Sequence, residues 1–186
     1  MDSQSQRKIN RRNRQRGSKF EKTAADILGM DVVPYSGSNA RFGFGDIRDS
    51  KWLGECKNIT PVDGRCKIQT KWINDNHRKA DLYGLLPFLV WMPAGKPDKY
   101  VILESDIFAD MDLYDWKPID EIEIPRVSVT AVNMYIDITA DYLKPVKSMK
   151  SIVRLKFGYH AYYMMDIRTF RDAMEYKGMK GELQKY

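Results

Sequence analysis

The chain has 186 residues, 43% of them hydrophobic and 12% aromatic, which suffices for one domain, or one domain with an extension, around a hydrophobic core. Its two cysteines and two histidines are too few for a disulfide scaffold or a zinc nuclease, and no apolar run reaches the ~18 residues of a membrane helix. The net charge of +6 lies in residues 1–19, where seven basic residues accompany one acid, because the other 24 basic residues balance 24 acidic ones. With no secretory signal visible, we expect no membrane partner and a cytoplasmic location, in a prokaryotic cell or a cell that hosts a virus or mobile element.

Residues 1–16 show no apolar periodicity, so they are predicted to form a disordered basic arm. Such arms bind nucleic-acid phosphates, and the alternatives are a solubilising tail or a nuclear-import-like sequence. The residues assigned to DNA binding in this part of the chain are Arg7, Lys8, Arg11, Arg12, Arg14, Arg16 and Lys19.

The first helix is predicted to begin at Gly17-Ser18, where Ser18 and Glu21 have the spacing of a capping box, and to end at Gly29. A strand from Met30 to Tyr35 follows. A turn at 36–39 and a glycine-rich loop at 41–45 then lead into Asp46-Ile47-Arg48.

The segment from Trp52 to Asn58 is predicted to be a strand, whose alternation places Glu55 and Lys57 on one face and Cys56 on the other. A helix is then expected over 67–83, a fully buried central strand over 85–92, a strand over 100–103 and a helix over 106–113. Beyond residue 116 the pattern indicates a β-rich stretch at 127–138, a hairpin over 152–165 and a helix over 168–176.

This order of elements predicts the α/β (α+β) class, with a mixed central sheet flanked by helices. We divide the chain into the disordered arm at 1–16, a core at 17–115, and a β-rich C-terminal extension of unknown role at 116–186.

Three acidic residues and one lysine in separate segments form the candidate catalytic set, namely Glu21, Asp46, Glu55 and Lys57. Phosphodiester hydrolysis needs a cation that polarises the phosphate and an activated water, and Mg²⁺ prefers oxygen ligands from a few carboxylates. Asp46 and Glu55 are the expected ligands, with the backbone carbonyl of Cys56, and Glu21 as a further ligand. Lys57 would orient the attacking water. Mg²⁺ is thus the expected cofactor, and Mn²⁺ is expected to substitute for it.

These residues resemble the PD-(D/E)xK nuclease superfamily, with Gly45-Asp46 at the first motif and Glu55-Cys56-Lys57 at the second. Within it the chain is most similar to archaeal-type Holliday junction resolvases, which share a Gly-Ser helix start, here Gly17-Ser18, and a Ser-Gly-rich stretch, here Ser36-Gly37-Ser38. The resemblance covers about residues 16–105. It departs from the family at Gly45, which replaces proline, in the short gap between the motifs, and in the last third of the chain.

The resemblance implies a restriction-endonuclease-like core, metal ligation by Asp46 and Glu55, and catalysis by Lys57. It also implies a phosphate contact from Ser36 or Ser38, and a homodimer that cuts four-way DNA junctions. The resemblance further implies Gln69 and Lys71, at the start of the second helix, as possible helpers of catalysis. From the residues alone, Arg41 is a further DNA-binding candidate.

Each assignment has a structural alternative. Glu21 could merely cap a helix, Lys57 could protect a sheet edge, and Lys71 could begin a solvated helix. Two further functions also remain open. One is a nicking, repair or restriction-type nuclease acting on duplex DNA, and the other is a non-catalytic DNA-binding protein with a degenerate nuclease fold.

Overall fold

The computed structural model describes residues 3–34, 45–124, 127–129, 134–147, 149–157 and 159–181. The helices are α1 (Ser3–Leu28), α2 (Thr70–Asp81), α3 (Ser105–Asp110), α4 (Ala140–Lys147) and α5 (Ile167–Tyr176). The strands are β1 (Asp31–Val32), β2 (Ile47–Arg48), β3 (Trp52–Ile59), β4 (Arg65–Gln69), β5 (Leu86–Pro93), β6 (Tyr100–Glu104), β7 (Ile119–Glu123), β8 (Val127–Val129), β9 (Met134–Thr139), β10 (Ile152–Phe157) and β11 (His160–Asp166).

A central sheet of eight strands, in the order β1-β2-β3-β5-β6-β11-β10-β7, organises the fold. Neighbouring strands are antiparallel except for β3 beside β5 and β7 beside β10, which are parallel. A second sheet has three antiparallel strands in the order β4-β9-β8. The mixed α/β class and the central mixed sheet flanked by helices are therefore confirmed.

Two hydrophobic clusters cover the two faces of the central sheet. On one face, residues of α1, α3 and α5 pack around Trp52, Phe88 and Phe170. On the other face, α2, α4 and the second sheet pack around Leu89 and Trp91. Strand β5 contributes side chains to both clusters, as expected from its nearly continuous apolar sequence. In the described part of the chain, no helix combines the length and the hydrophobicity that crossing a bilayer would require.

The N-terminal helix is longer than predicted. It runs from Ser3, so residues 3–16 are helical where a disordered arm was expected, and Ser18 and Glu21 lie inside the helix where a capping box was expected. The extension contains Arg, Lys and Gln with no proline, and these residues have favourable helix propensity. Its side chains are exposed from Ser5 to Arg16, so this part of the helix buries no apolar face.

The last third of the chain belongs to the same sheet as the core, which differs from the division predicted at residue 116. Strand β11 pairs with β6, and β10 lies between β11 and β7. The predicted hairpin over 152–165 and the final helix are confirmed. Helix α4 and strand β7 were not predicted.

The second helix begins three residues later than predicted, because residues 67–69 complete β4. Cys66 and Ile68 alternate with exposed residues and are buried against β9, which is antiparallel to β4. The predicted strand at 30–35 is present only as Asp31–Val32, and residues 35–44, which contain the predicted turn and most of the glycine-rich loop, lie outside the described residues.

The C-terminal segment is attached to the turn between β2 and β3. The buried Asp49 carboxylate accepts hydrogen bonds from the backbone N–H groups of Lys51 and Trp52, both at 2.8 Å, and from Gly181 at 2.9 Å. The indole N–H of Trp52 donates to the carbonyl of Met179 at 2.8 Å. Residues 179–181 thus hold the turn that leads into β3.

Candidate active site

The candidate site lies along one edge of β3. On this side β2 pairs only with Leu53 and Gly54. On the other side β5 follows β3 over its whole length. Among the described residues, no strand pairs with β3 beyond Gly54 on the first side. The backbone groups that β3 directs to this side beyond Gly54 can therefore interact with groups other than a neighbouring strand.

Asp46 lies at the point where this edge becomes unpaired. Its backbone N–H donates to the carbonyl of Gly54 at 2.9 Å, and its Oδ2 accepts the backbone N–H of Cys56 at 2.7 Å. The aspartate thus replaces a strand partner for Cys56. It is 8% exposed. Because the N–H and C=O of one residue in a strand point to the same side, the Cys56 carbonyl is directed to this edge as well.

Gly45 explains how the chain brings Asp46 so close to β3. Its φ is +70°, and a Cβ atom there would lie 2.9 Å from the Leu53 side chain and 3.1 Å from the Gly54 carbonyl. Proline has φ near −65°, so it is incompatible with this backbone. A proline before Asp46, as in the motif that the sequence resembles, would therefore not fit this turn.

Glu55 and Lys57 share one face of β3, as the alternation predicted. The ammonium of Lys57 lies 2.5 Å from Oε1 of Glu55 and 5.6 Å from the centre of the Trp72 ring. A second ammonium, from Lys79 on α2, lies 3.2 Å from Oε2 of Glu55. Both oxygens of Glu55 therefore have a cationic partner.

Glu21 approaches the same cluster from α1. Phe20 and Ala24 are buried against the sheet and fix the rotation of the helix, which leaves Glu21 half-buried. Burial raises the pKa of Glu21, and the neighbouring charges of Lys57 and Glu55 act on it in opposite directions. Its charge is thus coupled to both motif residues of β3.

The strongest electrostatic perturbation is at Asp46. Burial, followed by repulsion from Glu55, raises the pKa of Asp46 to about 7, although the Cys56 N–H and Lys57 act in the opposite direction. Burial is the largest single influence on the pKa of Lys57 and lowers it, but the charge of Glu55, the hydrogen bond to Glu55 and the charge of Asp46 together raise this pKa above its ordinary value. The four predicted residues therefore lie close enough for their charges to influence one another, and Lys57 is an ammonium at neutral pH.

The donor set fits a hard divalent cation that keeps several waters. The described residues contain no group of three or more His, Cys, Asp or Glu side chains arranged to hold a metal ion. Mg²⁺ commonly uses only one or two carboxylates, with water completing its shell. Asp46, Glu55 and the Cys56 carbonyl offer such a set. Among the described groups, the second oxygen of Asp46 has no hydrogen bond, and a cation would relieve the repulsion that raises its pKa.

Several predicted residues are not part of this cluster. Lys71 pairs with Asp75 on its own helix at 2.5 Å, and Gln69 ends β4 and precedes α2. Neither has a described contact with the cluster. Ser36, Ser38 and Arg41 lie outside the described residues, so their assignment to DNA binding stays a prediction. The basic side chains of the arm lie on the exposed surface of α1.

Two residues of α2 were missed. Lys79 contacts Glu55, and Asn76, which is 1% exposed, donates to the carbonyls of Leu53 and Phe88, both at 3.0 Å. The signal was available, since Asn76 follows the buried Ile73 by three residues and precedes Lys79 by three, so all three share one side of the helix.

Comparisons with protein-family models, with curated proteins and with solved structures give no match. The family resemblance therefore stays a prediction, carried by the residues themselves.

Proposed function

We propose that this chain is a Mg²⁺-dependent, structure-selective DNA endonuclease with a restriction-endonuclease-like core, acting on branched DNA such as a Holliday junction. One observation carries the proposal. Glu21, Asp46, Glu55 and Lys57 come from three separate segments. Yet Asp46 accepts the N–H of Cys56 between Glu55 and Lys57, these two form an ion pair, and the charges of Glu21, Glu55 and Lys57 all act on the pKa of Asp46.

The roles follow from the geometry. Asp46 and Glu55, with the Cys56 carbonyl, would hold the cation, and Glu21 would contribute a further carboxylate beside it. When bound, Mg²⁺ supplies polarisation of the phosphate and activation of water. Lys57 and Lys79 both lie against Glu55, so they fix the orientation of its carboxylate. As an ammonium, Lys57 orients the attacking water and stabilises negative charge on the phosphate.

A four-way junction is approximately two-fold symmetric, so a homodimer with two sites would cut opposite strands. The basic face of α1 would contact the arms of the junction. Both statements are what the resemblance to junction resolvases implies for this chain.

The test is a cleavage panel with Mg²⁺, in which wild type and Asp46→Asn act on a four-way junction, a flap and a linear duplex of matched sequence. We expect junction cleavage by wild type, with loss of cleavage but retained junction binding in the variant. Equal cutting of linear duplex would instead identify a duplex nuclease. Cleavage by Asp46→Asn at the wild-type rate would refute the site.

A second candidate is a DNA-binding protein without catalysis. The engagement of both Glu55 oxygens by lysines favours it, because this carboxylate must exchange partners to bind a cation. Junction binding with no Mg²⁺- or Mn²⁺-dependent cleavage of any DNA in the panel would establish it.

A further inference from the structure

A groove of about 730 Å³ opens between α1 and the turn that joins β5 to β6. Four cationic side chains line it, two from the helix and two from the turn. Neutral hydrogen-bonding groups from the end of β3 lie between them. The polar residues that matter are Arg16, Lys19, Asn58, Thr60, Lys96 and Lys99.

The cations of this groove differ from a group of basic residues elsewhere on the chain that have acidic partners. Basic side chains such as Lys144, Arg154 and Lys177 form ion pairs with carboxylates. By contrast, within the described ranges, none of the four groove cations pairs with an acid. Asp98, the acid nearest to Lys99 in sequence, lies 3.6 Å from Lys147, and Lys99 itself donates only to the Pro97 carbonyl at 2.9 Å. The groove therefore carries uncompensated positive charge.

The groove is built on two of the elements that carry the candidate active site. Phe20 lines it immediately before Glu21 in α1, and Asn58 lines it immediately after Lys57 in β3. Because side chains alternate along a strand, Asn58 lies on the face of β3 opposite Lys57. The groove therefore neighbours the carboxylate cluster through α1 and β3.

The same row of charge continues along α1. Lys8, Arg12, Arg16 and Lys19 follow one another at spacings of four, four and three residues, so they share one side of the helix. This row is about 16 Å long at ~1.5 Å per residue. One strand of DNA spans that length with about five phosphates, at roughly 3.4 Å per nucleotide.

We propose that this groove and helix row bind the sugar–phosphate backbone of one nucleic-acid strand. The proposal rests on the proposed function and adds Lys96 and Lys99, which no sequence pattern singled out, to the binding surface. An extended polyanion fits better than a small phosphate compound, because the unpaired cations form an open line that extends well beyond the groove.

The test measures binding rather than cleavage. Fluorescence anisotropy of a labelled four-way junction is recorded over a range of salt concentrations, without divalent cation, using Asp46→Asn as the parent protein. Adding Lys96→Gln and Lys99→Gln should reduce the slope of log K against log salt by about two, since each phosphate contact contributes roughly 0.9. The affinity at a fixed low salt concentration should fall at least tenfold.

The matched control is Lys144→Gln with Lys156→Gln, which removes the same charge from cations that lie near carboxylates. It should leave the slope unchanged. A Lys96→Arg, Lys99→Arg protein should bind as the parent does, and thermal unfolding checks that each variant is folded. An unchanged slope in the glutamine variant, or an equal change in the control, would overturn the proposal.

Two further outcomes separate the hypotheses. If wild type binds junctions through the groove but cuts no DNA, the proposed nuclease function fails and the groove assignment stands. If the glutamine variant binds as its parent does, and the same two substitutions in the wild-type chain leave junction cleavage unchanged, the groove assignment fails and the nuclease function stands. Displacement of DNA by micromolar inorganic phosphate or nucleotide would identify a small-anion site and would also overturn the proposal.

Discussion

Replacing Asp46 by asparagine should stabilise the metal-free protein, even though it abolishes the proposed activity. In the folded chain the pKa of Asp46 is raised from 3.8 to about 7, because the carboxyl is buried and lies beside Glu55. The folded state therefore binds this proton more tightly than the unfolded chain does. As pH rises from the pKa of Asp46 in the unfolded chain, 3.8, to its pKa in the folded chain, about 7, this carboxyl makes folding progressively less favourable.

The size of the effect follows from the shift. A rise of about three pKa units corresponds to at most ~4 kcal/mol at a pH above both values. Asparagine removes the charge, while its amide oxygen can still accept the Cys56 N–H. If Asp46→Asn gains half of this upper bound, ~2 kcal/mol, in free energy of unfolding, its Tm should exceed that of wild type by roughly 4–8 °C in a chain of this length.

Thermal unfolding in a chelator at about pH 8 and about pH 5 measures this difference. We expect the advantage of Asp46→Asn to be largest at the higher pH and to shrink at the lower one. Asp26→Asn, which removes an exposed carboxylate from α1, is the matched control and should have little effect. Adding Mg²⁺ should raise the Tm of wild type more than that of the variant, since only wild type keeps the full ligand set. An Asp46→Asn protein that is less stable than wild type at both pH values would refute this account of the site.

Two other substitutions test the surroundings. Gly45→Ala places a Cβ against Leu53 and imposes a positive φ on a non-glycine residue. It should lower the free energy of unfolding, measured in urea, by about 1–3 kcal/mol and should reduce cleavage by displacing Asp46. Unaltered cleavage would show that the position of Asp46 does not depend on this turn. His77 contacts Glu104 and lies 3.5 Å from Asp81, and the hydrogen bond to Glu104 raises the pKa of His77. Protonated His77 stabilises the fold at pH values below its unfolded-state pKa, and this stabilisation is lost as pH rises through its raised pKa in the folded chain. His77→Gln should therefore lower the free energy of unfolding by about 1 kcal/mol near pH 6 and by almost nothing near pH 9. A cost that is constant with pH would exclude the ion pair.

Local patterns predicted the part of the fold that holds the site. Strand alternation placed Glu55 and Lys57 on one face, and the apolar run of β5 indicated a doubly covered strand. Both features depend on neighbouring residues, so a single sequence contains the necessary information.

The errors concern contacts between distant segments. Strand β4 was read as the start of α2 because its partner β9 lies some 65 residues further along the chain. The contact of Lys79 with Glu55 requires the packing of α2 on β3, which the motif spacing does not encode. The insertion of β10 and β11 into the central sheet likewise depends on pairing that no local pattern specifies.

The position of β11 has a consequence for synthesis on the ribosome. Strand β6 has β5 on one side, but its other neighbour is β11, and 55 residues separate Glu104 from His160. At ~5–20 residues per second, the nascent chain carries an unprotected edge on β6 for roughly 3–11 s before its partner emerges. If the ribosome stalls within this interval, the β6 edge stays exposed for longer and the chain becomes prone to intermolecular strand pairing. The yield of soluble protein should therefore depend on uninterrupted translation of this segment.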